Sequence, residues 1–346
     1  MKRVLLIGAG HAHARLLADL ARVPLYGARL TLVSPFARQI YSAMLPGVIA
    51  GHYAREQAEF DVERLAHFAH AEFVAARVTR LDTGGGIATL DNGQTLRADV
   101  VLINAGSATG APEHALSVKP FEHLVERLRF ASHVAIAGGG AAGAELAMAL
   151  RRRGGEVTLY ADSTPFPPPL AQRVARALKR SRVDFRPGMR VDAVEPGPVV
   201  VAGAARQQFD LVVWAGGAVA LPWLEASGLA VDERGFVRVD ESLRSVSHPN
   251  VFVTGDCAAL AEAKSGVHAV RQGAVMAQNL RNLVGGLPLL KYEPKRKALL
   301  LLTCGARYAI AARGDWSAEG RWAWWWKNAI DRRWLRRLRR PVRPPA

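Results

Sequence analysis

Two glycine-rich turns, each placed between a short apolar run and a helix-like stretch, constrain the fold of this chain most. The first turn follows the apolar residues 4–7, and the second begins at Gly138, 130 residues after Gly8. Short apolar runs before such turns indicate buried strands, and apolar residues at helical spacing follow each turn. A further strand pattern comes after each helix. The sequence therefore predicts two strand–turn–helix–strand units.

The second turn has the stronger ligand signal, because Gly138, Gly140 and Gly143 match GxGxxG between a strand and a helix. The first glycine permits a tight turn, the second lets the backbone approach a pyrophosphate, and the third lets the helix pack on the strand. The helix N-terminus then faces the phosphates. A turn without a ligand is the alternative. The predicted residues of this site are Gly138, Gly140, Gly143, Glu145, Asp162 and Gly216.

The first turn departs from the same pattern. Gly8 and Gly10 fit, but His13 takes the third position, where a side chain pushes the helix from the strand or forces another path. Asp256, after Gly255 at the end of another apolar strand, can accept hydrogen bonds from a sugar alcohol. A metal site at His11 and His13 is not expected, because no third ligand lies nearby in the sequence. The predicted residues of this site are Gly8, Gly10, His11, His13, Ser34, Gly106, Gly255 and Asp256.

The order of these motifs resembles the flavoprotein superfamily with two dinucleotide-binding domains, which includes the pyridine nucleotide-disulfide oxidoreductases. This resemblance covers nearly the whole chain and implies FAD at the first turn and NAD(P)H at the second. The chain has only two cysteines, and none precedes Cys257. The redox-active thiols of the disulfide-reductase branch and of sulfide:quinone oxidoreductases therefore have no counterpart, and Cys257 is interpreted as a packing residue.

Further segments resemble the type II NADH dehydrogenase-like flavoproteins, in the subgroup associated with selenide, water dikinase. They are residues 10–14, 41–47, 51–53, 119–120 and 266–273 and the tryptophan-rich end. The resemblance implies flavin-adjacent positions for Tyr41, Met44, Lys119 and Gln272. Core packing is the alternative for Tyr41 and Met44. A cation at Lys119 would stabilise a reduced, anionic flavin.

The quinone-pocket glutamines of that family are matched only at Gln272, because Val267 and Arg271 occupy two other positions. This departure weakens the inference of a quinone as the electron acceptor. NADH is favoured over NADPH, because Asp162 follows the second strand of the second unit and would repel a 2′-phosphate.

Basic charge is concentrated at the C-terminus. The net charge is +16, and residues 321–346 contribute +8 of it. Six of the eight tryptophans lie within residues 316–334. On a predicted helix from about Trp322 to Leu338, an apolar stripe recurs every four residues; its members are Trp322, Trp326, Ile330, Trp334 and Leu338. This pattern predicts that residues 317–346 bind an anionic membrane surface, so that deleting them abolishes liposome binding and leaves flavin reduction intact.

Packing of these tryptophans on the FAD domain, or a dimer interface, is the alternative. Nucleic-acid binding is not expected, since no nucleic-acid-binding fold signature accompanies the basic end. No apolar stretch of 18 residues occurs. We therefore expect a cytoplasmic protein, peripheral on the inner face of the cell membrane, and leave a homo-oligomer open.

At 346 residues, the chain is long enough for about two domains. We predict an α/β fold of two interleaved Rossmann-like domains: an FAD domain at residues 1–112 and 235–295 and an NAD(P) domain at residues 113–234, followed by a C-terminal segment at 296–346 that carries the amphipathic helix. The expected function is an FAD-dependent NAD(P)H oxidoreductase that reduces a second acceptor, with a quinone as one candidate. The alternative is a membrane- or partner-associated flavin redox sensor with little turnover.

Overall fold

The computed structural model describes residues 1–295 and 297–341. The first part of the chain alternates strands with helices: β1 (Lys2–Ile7), α1 (His11–Leu20), β2 (Ala28–Val33), β3 (Arg38–Ile40), α2 (Leu45–Ile49), α3 (Arg55–Ala58), β4 (Glu59–Asp61), α4 (Val62–Phe68), β5 (Ala71–Val74), β6 (Val78–Asp82), β7 (Ile87–Leu90), β8 (Thr95–Arg97) and β9 (Val100–Ile103). A short 3-10 helix, Ser42–Met44, precedes α2.

The middle part repeats this alternation: β10 (Leu116–Ser117), α5 (Phe121–Arg127), β11 (His133–Ala137), α6 (Ala141–Arg153), β12 (Glu156–Ala161), α7 (Pro168–Arg180), β13 (Asp184–Pro187), β14 (Ala193–Glu195), β15 (Val199–Ala202), β16 (Ala205–Gln208), β17 (Leu211–Trp214) and α8 (Pro222–Ala226). The last part contains β18 (Val237–Arg238), β19 (Val251–Val253), β20 (Ala258–Ala259), α9 (Gly266–Gly285), β21 (Leu300–Thr303), β22 (Ala309–Arg313), β23 (Trp316–Gly320) and α10 (Arg321–Arg339).

Two parallel five-stranded sheets form the framework, and the predicted α/β class is confirmed. The first sheet has the strand order β19-β9-β1-β2-β5, and the second has the order β10-β17-β11-β12-β13. In each sheet, the strand that leads into a glycine-rich turn is central: β1 pairs with β2 and β9, and β11 pairs with β12 and β17. Both turns therefore lie at the carboxyl edge of a sheet, where parallel α/β folds bind ligands.

Each half also carries a three-stranded antiparallel sheet. The sheet β6-β7-β8 precedes β9, and β14-β15-β16 precedes β17. Strand β19 pairs with β9 far from it in sequence, so residues 251–253 belong to the first sheet. Helix α9 packs closely on α1, because a Cβ on Gly273 would lie 2.2 Å from the Ala12 carbonyl oxygen. The domain boundaries named above remain predictions.

The C-terminal segment packs on the body of the protein. Strands β21-β22-β23 form an antiparallel sheet, and α10 follows directly, close to the predicted helix. Arg173 on α7 contacts Ser317 and Glu319 on β23. Leu335 and Leu338 on α10 are buried in the main hydrophobic core. Among the helices of residues 1–295 and 297–341, none is both long and apolar enough to cross a membrane.

The predicted apolar stripe of α10 does not lie on one face of the molecule. Trp322, Trp326 and Ile330 are exposed, whereas Trp334 is half-buried and Leu338 is buried. The prediction of a continuous exposed stripe is wrong for its last two members, since the second half of the helix packs on the core. Trp325 joins the exposed face instead. A deletion of residues 317–346 would also remove most of β23 and the buried Leu335, so it cannot test the membrane role alone.

Candidate functional site

The turn between β1 and α1 is held close to the end of β9. Gly8 has a φ of +84°, a left-handed conformation that glycine adopts readily. A Cβ on Gly8 would lie 2.6 Å from the Asn104 carbonyl oxygen, and one on Gly10 would lie 2.4 Å from Asn104 Oδ1. Both glycines are therefore required by the neighbouring strand, in addition to any ligand that approaches them.

The side chain of His13 fills the third position of the first turn, where the second turn has Gly143. The side chain is fully buried, and its Nδ1 lies 2.6 Å from the Gly8 carbonyl oxygen, to which the neutral ring can donate. Burial lowers the pKa of His13 to about 4. At the equivalent Gly143, a Cβ would lie 1.9 Å from the Gly138 carbonyl oxygen. Helix α1 must therefore follow a different path from α6, which is one of the two outcomes that the sequence predicts.

Asp256 is held by a cation at the end of β19. Its Oδ2 accepts hydrogen bonds from Lys119 Nζ at 2.9 Å and from Ser107 Oγ at 3.3 Å. Burial opposes ionisation of Asp256, but the charge of Lys119 and these hydrogen bonds outweigh it, so the pKa of Asp256 lies below its ordinary value. A charged carboxylate with free lone pairs suits the hydroxyl groups of a ribityl chain.

The structure brings Lys119 to Asp256 and Tyr41 to His11. The rings of Tyr41 and His11 have centroids 5.5 Å apart, and Ser42 Oγ lies 3.3 Å from His11 Nε2. Burial lowers the pKa of His11 to about 4, although the Asp256 charge opposes this shift. These side chains, drawn from the α1 turn, the segment before α2 and the loop before α5, form one cluster at the carboxyl edge of the first sheet. The flavin-adjacent roles of Lys119 and Tyr41 remain predictions.

The side chains of the two other flavin-adjacent candidates, Gln272 and Met44, are both engaged in contacts within the protein. Gln272 is buried; its Oε1 accepts from the Gly255 amide at 2.5 Å, and its Nε2 donates to Glu262 Oε1 at 2.7 Å. Both ends of the Gln272 amide group are therefore bonded to the protein, at the Gly255 loop and at Glu262. Met44 is buried in the main hydrophobic core, which supports the packing alternative.

Ser34 and Gly106 complete the predicted first site. Ser34 is buried, donates from Oγ to the Phe36 carbonyl and accepts from Gln39 Nε2. A Cβ on Gly106 would meet no atom within 4 Å, so space is open beside this residue.

Cys257 is buried, its thiol donates to the Gly106 carbonyl at 3.0 Å, and burial raises its pKa to about 12. Such a thiol is a packing residue with little nucleophilic character.

The second turn leaves open space where a dinucleotide would approach. A Cβ on Gly138 would lie 2.3 Å from the Ala215 carbonyl oxygen, whereas one on Gly140 would meet nothing closer than Pro165 Cγ at 3.9 Å. The space beside Gly216 is filled by Trp214, because a Cβ on Gly216 would lie 2.5 Å from Trp214 Nε1. Asp162 is exposed just past β12. The residues of both turns thus fit a dinucleotide.

Glu145 connects two elements of the protein through one carboxylate oxygen. Its Oε1 accepts from the backbone amide and the hydroxyl group of Thr303 at 2.8 and 2.9 Å. Burial raises the pKa of Glu145, and the Lys327 charge and the Thr303 hydrogen bonds oppose the shift. The carboxyl group therefore joins α6 to β21 through Oε1. Its contact with NAD(P) remains a prediction.

Asn104 was missed by the sequence analysis. Its Oδ1 accepts from the amides of Ala12 and His13 at 3.1 and 3.2 Å, and its Nδ2 donates to the Thr254 carbonyl at 2.9 Å. The one available signal was a polar residue at the end of the apolar residues 100–103.

Comparison with known proteins gives a consistent result. The family model described as pyridine nucleotide-disulphide oxidoreductase matches residues 2–275. A type II NADH:quinone oxidoreductase from Staphylococcus saprophyticus is 23% identical in an alignment of 383 positions that covers 96% of this chain and 94% of that protein. Ferroptosis suppressor protein 1 from Taeniopygia guttata is 25% identical in an alignment of 254 positions that covers 66% of this chain and 68% of that protein.

Among solved structures, the sulfide:quinone oxidoreductase from the hyperthermophilic bacterium Aquifex aeolicus superimposes with a TM-score of 0.79. The match covers 100% of this chain and 93% of that chain at 19% identity, so it supports the fold alone.

Proposed function

Since the chain belongs to the pyridine nucleotide-disulphide oxidoreductase family, we propose that it oxidises NADH and passes the electrons to a quinone. It is an FAD-dependent NAD(P)H oxidoreductase, and the family assignment confirms the predicted superfamily, enzyme class and two cofactors. FAD, when bound, accepts a hydride from the nicotinamide and supplies electrons to a second acceptor. The link with selenide, water dikinase remains a prediction.

The observation that carries the proposal is the pair of glycine turns on two separate sheets, with Asp256 and Lys119 beside the first. The N-terminus of α1 offers the His11 backbone amide and a helix dipole to a pyrophosphate. Asp256 accepts hydrogen bonds from sugar hydroxyl groups, and Lys119 supplies a positive charge beside it. No general acid or base is needed for hydride transfer, so these residues bind and orient.

A quinone is favoured over a disulfide as the acceptor. The chain has two cysteines, and both are buried and unpaired. No thiol pair is therefore offered for dithiol chemistry. The relative from S. saprophyticus is named as an NADH:quinone oxidoreductase, and its similarity extends over 96% of the chain.

The test is steady-state oxidation of NADH by the purified holoenzyme with a short-chain ubiquinone or menadione, beside a control with oxygen alone. We expect either quinone to accelerate NADH oxidation well above the oxygen rate. Turnover that stays negligible with every quinone, while a non-quinone acceptor reoxidises the enzyme, would overturn the quinone proposal. Negligible turnover with all acceptors favours the redox-sensor alternative.

We further propose that α10 holds the enzyme on an anionic membrane surface. Its exposed face is aromatic in the first half, where Trp322, Trp325 and Trp326 are 48%, 52% and 42% exposed. Exposed arginines continue along the second half of the helix. Tryptophan favours the headgroup boundary, and each basic residue near an anionic surface adds about 1 kcal/mol.

Surface substitutions test this proposal without removing buried residues. We expect the triple variant Trp322→Ser, Trp325→Ser, Trp326→Ser to lose sedimentation with phosphatidylglycerol vesicles at low salt. Trp316→Ser is the matched control, since Trp316 is 51% exposed but lies on β23. Failure of the unmodified protein to sediment with these vesicles would contradict the membrane role.

A further inference from the structure

Asn104 is a buried polar residue at the end of an apolar strand, with 3% of its surface exposed. Its backbone amide donates to the Ile7 carbonyl at 2.8 Å, and its backbone carbonyl accepts from the Gly10 amide at 3.3 Å. Its side chain contacts the first turn of α1 with its oxygen and the Thr254 carbonyl with its nitrogen. One residue thus joins β1, the α1 turn and the end of β19.

The same side chain determines where glycine is required. A Cβ on Gly10 would lie 2.4 Å from Asn104 Oδ1, and a Cβ on Gly255 would lie 2.3 Å from Asn104 Nδ2. Gly140, the counterpart of Gly10 in the second turn, faces open space. In the first site, Gly10 and Gly255 therefore both pack against the side chain of Asn104, whereas Gly140 has no such close neighbour.

The orientation of the amide group is fixed by its partners. The oxygen faces two backbone donors and the nitrogen faces a backbone acceptor, so neither a carboxylate nor an apolar side chain can replace all three bonds. The side chain accepts from the second and third amides of α1, those of Ala12 and His13. The first amide, that of His11, is outside this cap, and a pyrophosphate can use it together with the helix dipole.

We propose that Asn104 is a positioning residue for FAD, which sets the α1 turn that binds the pyrophosphate relative to the Gly255–Asp256 loop that binds the ribityl chain. This inference rests on the FAD site described above and assigns the spacing of its two halves to one side chain. Loss of the side-chain bonds frees the two loops to move apart, so that one FAD molecule no longer satisfies both at once.

The test measures FAD release from the holoenzyme, by recovery of flavin fluorescence after dilution, in Asn104→Leu and Asn104→Ala. We expect release at least tenfold faster than in the unmodified protein, and a changed visible circular dichroism of the flavin that remains bound. Release at the unmodified rate in a folded variant with an unchanged flavin spectrum would overturn the proposal. Asn104→Ala serves if the leucine variant does not fold.

A double-mutant cycle isolates the contact itself. Gly255→Ala should accelerate FAD release more in the unmodified protein than in the Asn104→Ala background, because its Cβ would meet Asn104 Nδ2 only in the former. Gly93→Ala is the control for backbone strain, since Gly93 also has a positive φ but has no atom near its Cβ. Equal effects of Gly255→Ala in both backgrounds would contradict the proposal. Release is measured without NADH, so failure of the proposed electron transfer is detected separately.

Discussion

Lys327 and Asp331 lie one turn apart on α10, and their side chains form an ion pair at 2.7 Å inside the protein, where they are only 7% and 6% exposed. Lys327 Nζ also donates to the Ala43 carbonyl at 2.5 Å. Burial raises the pKa of Asp331, although Lys327 and Tyr41 oppose the shift. The C-terminal helix is thereby joined to the segment at Tyr41 that lies beside His11.

Removing one member of this pair should destabilise the protein strongly. Lys327→Met leaves the Asp331 charge buried without its partner, and we expect the free energy of unfolding to fall by about 3–5 kcal/mol. The double variant Lys327→Met, Asp331→Asn should lose less, because no charge remains buried. Urea unfolding measures both, with Arg333→Met on the exposed face as the control. A double variant less stable than Lys327→Met alone would contradict this account.

Asp256→Ala should lower FAD occupancy. The charge-assisted hydrogen bonds that Asp256 would make to the ribityl chain are worth about 1.5–3 kcal/mol, or roughly a tenfold to hundredfold loss of affinity. The ratio of flavin absorbance to protein absorbance after purification gives the occupancy. An unchanged flavin content in this variant would remove Asp256 from the site.

His13 should make the protein sensitive to acid. Its pKa is about 4 in the folded state and 6.5 ordinarily, so the unfolded chain binds the proton more tightly. Stability from this group is therefore complete above pH 6.5 and falls as the pH is lowered toward 4, by about 3 kcal/mol in total.

His11 has the same direction of shift and adds to the slope. We expect His13→Gln to remove about 3 kcal/mol of the fall in the unfolding free energy between pH 6.5 and 4. The exposed His67→Gln is the control for the substitution itself. A slope in His13→Gln equal to that of the unmodified protein would show that His13 is not the group responsible.

NADH should be preferred to NADPH, because Asp162 lies exposed just past β12, where a 2′-phosphate would meet its negative charge. We expect kcat/KM to favour NADH and Asp162→Ser to narrow the difference. The comparison of kcat/KM for the two nucleotides decides the matter. A tenfold preference for NADPH would reverse the interpretation of Asp162.

The sequence allowed the glycine turns to be predicted because their chemistry is local: Gly138, Gly140 and Gly143 carry strand, turn and helix signals within a few residues of one another. The contacts of Asn104 and Glu145 could not be predicted in this way, since their partners Thr254 and Thr303 lie far along the chain. For α10, the sequence predicted the helix but not which of its side chains are exposed. Periodicity gave the helix, but packing of Leu335 and Leu338 on the core decided which tryptophans remain exposed.

The central claim is that a nicotinamide held at the second turn reduces a flavin held at the first. Anaerobic titration of the purified holoenzyme with NADH, followed by visible absorbance, tests it most directly. We expect the oxidised flavin band to bleach with one equivalent of NADH and to return when a quinone is added. Dithionite is the control, since it should bleach the flavin directly. A band that persists with excess NADH and NADPH, but is bleached by dithionite, would contradict the account.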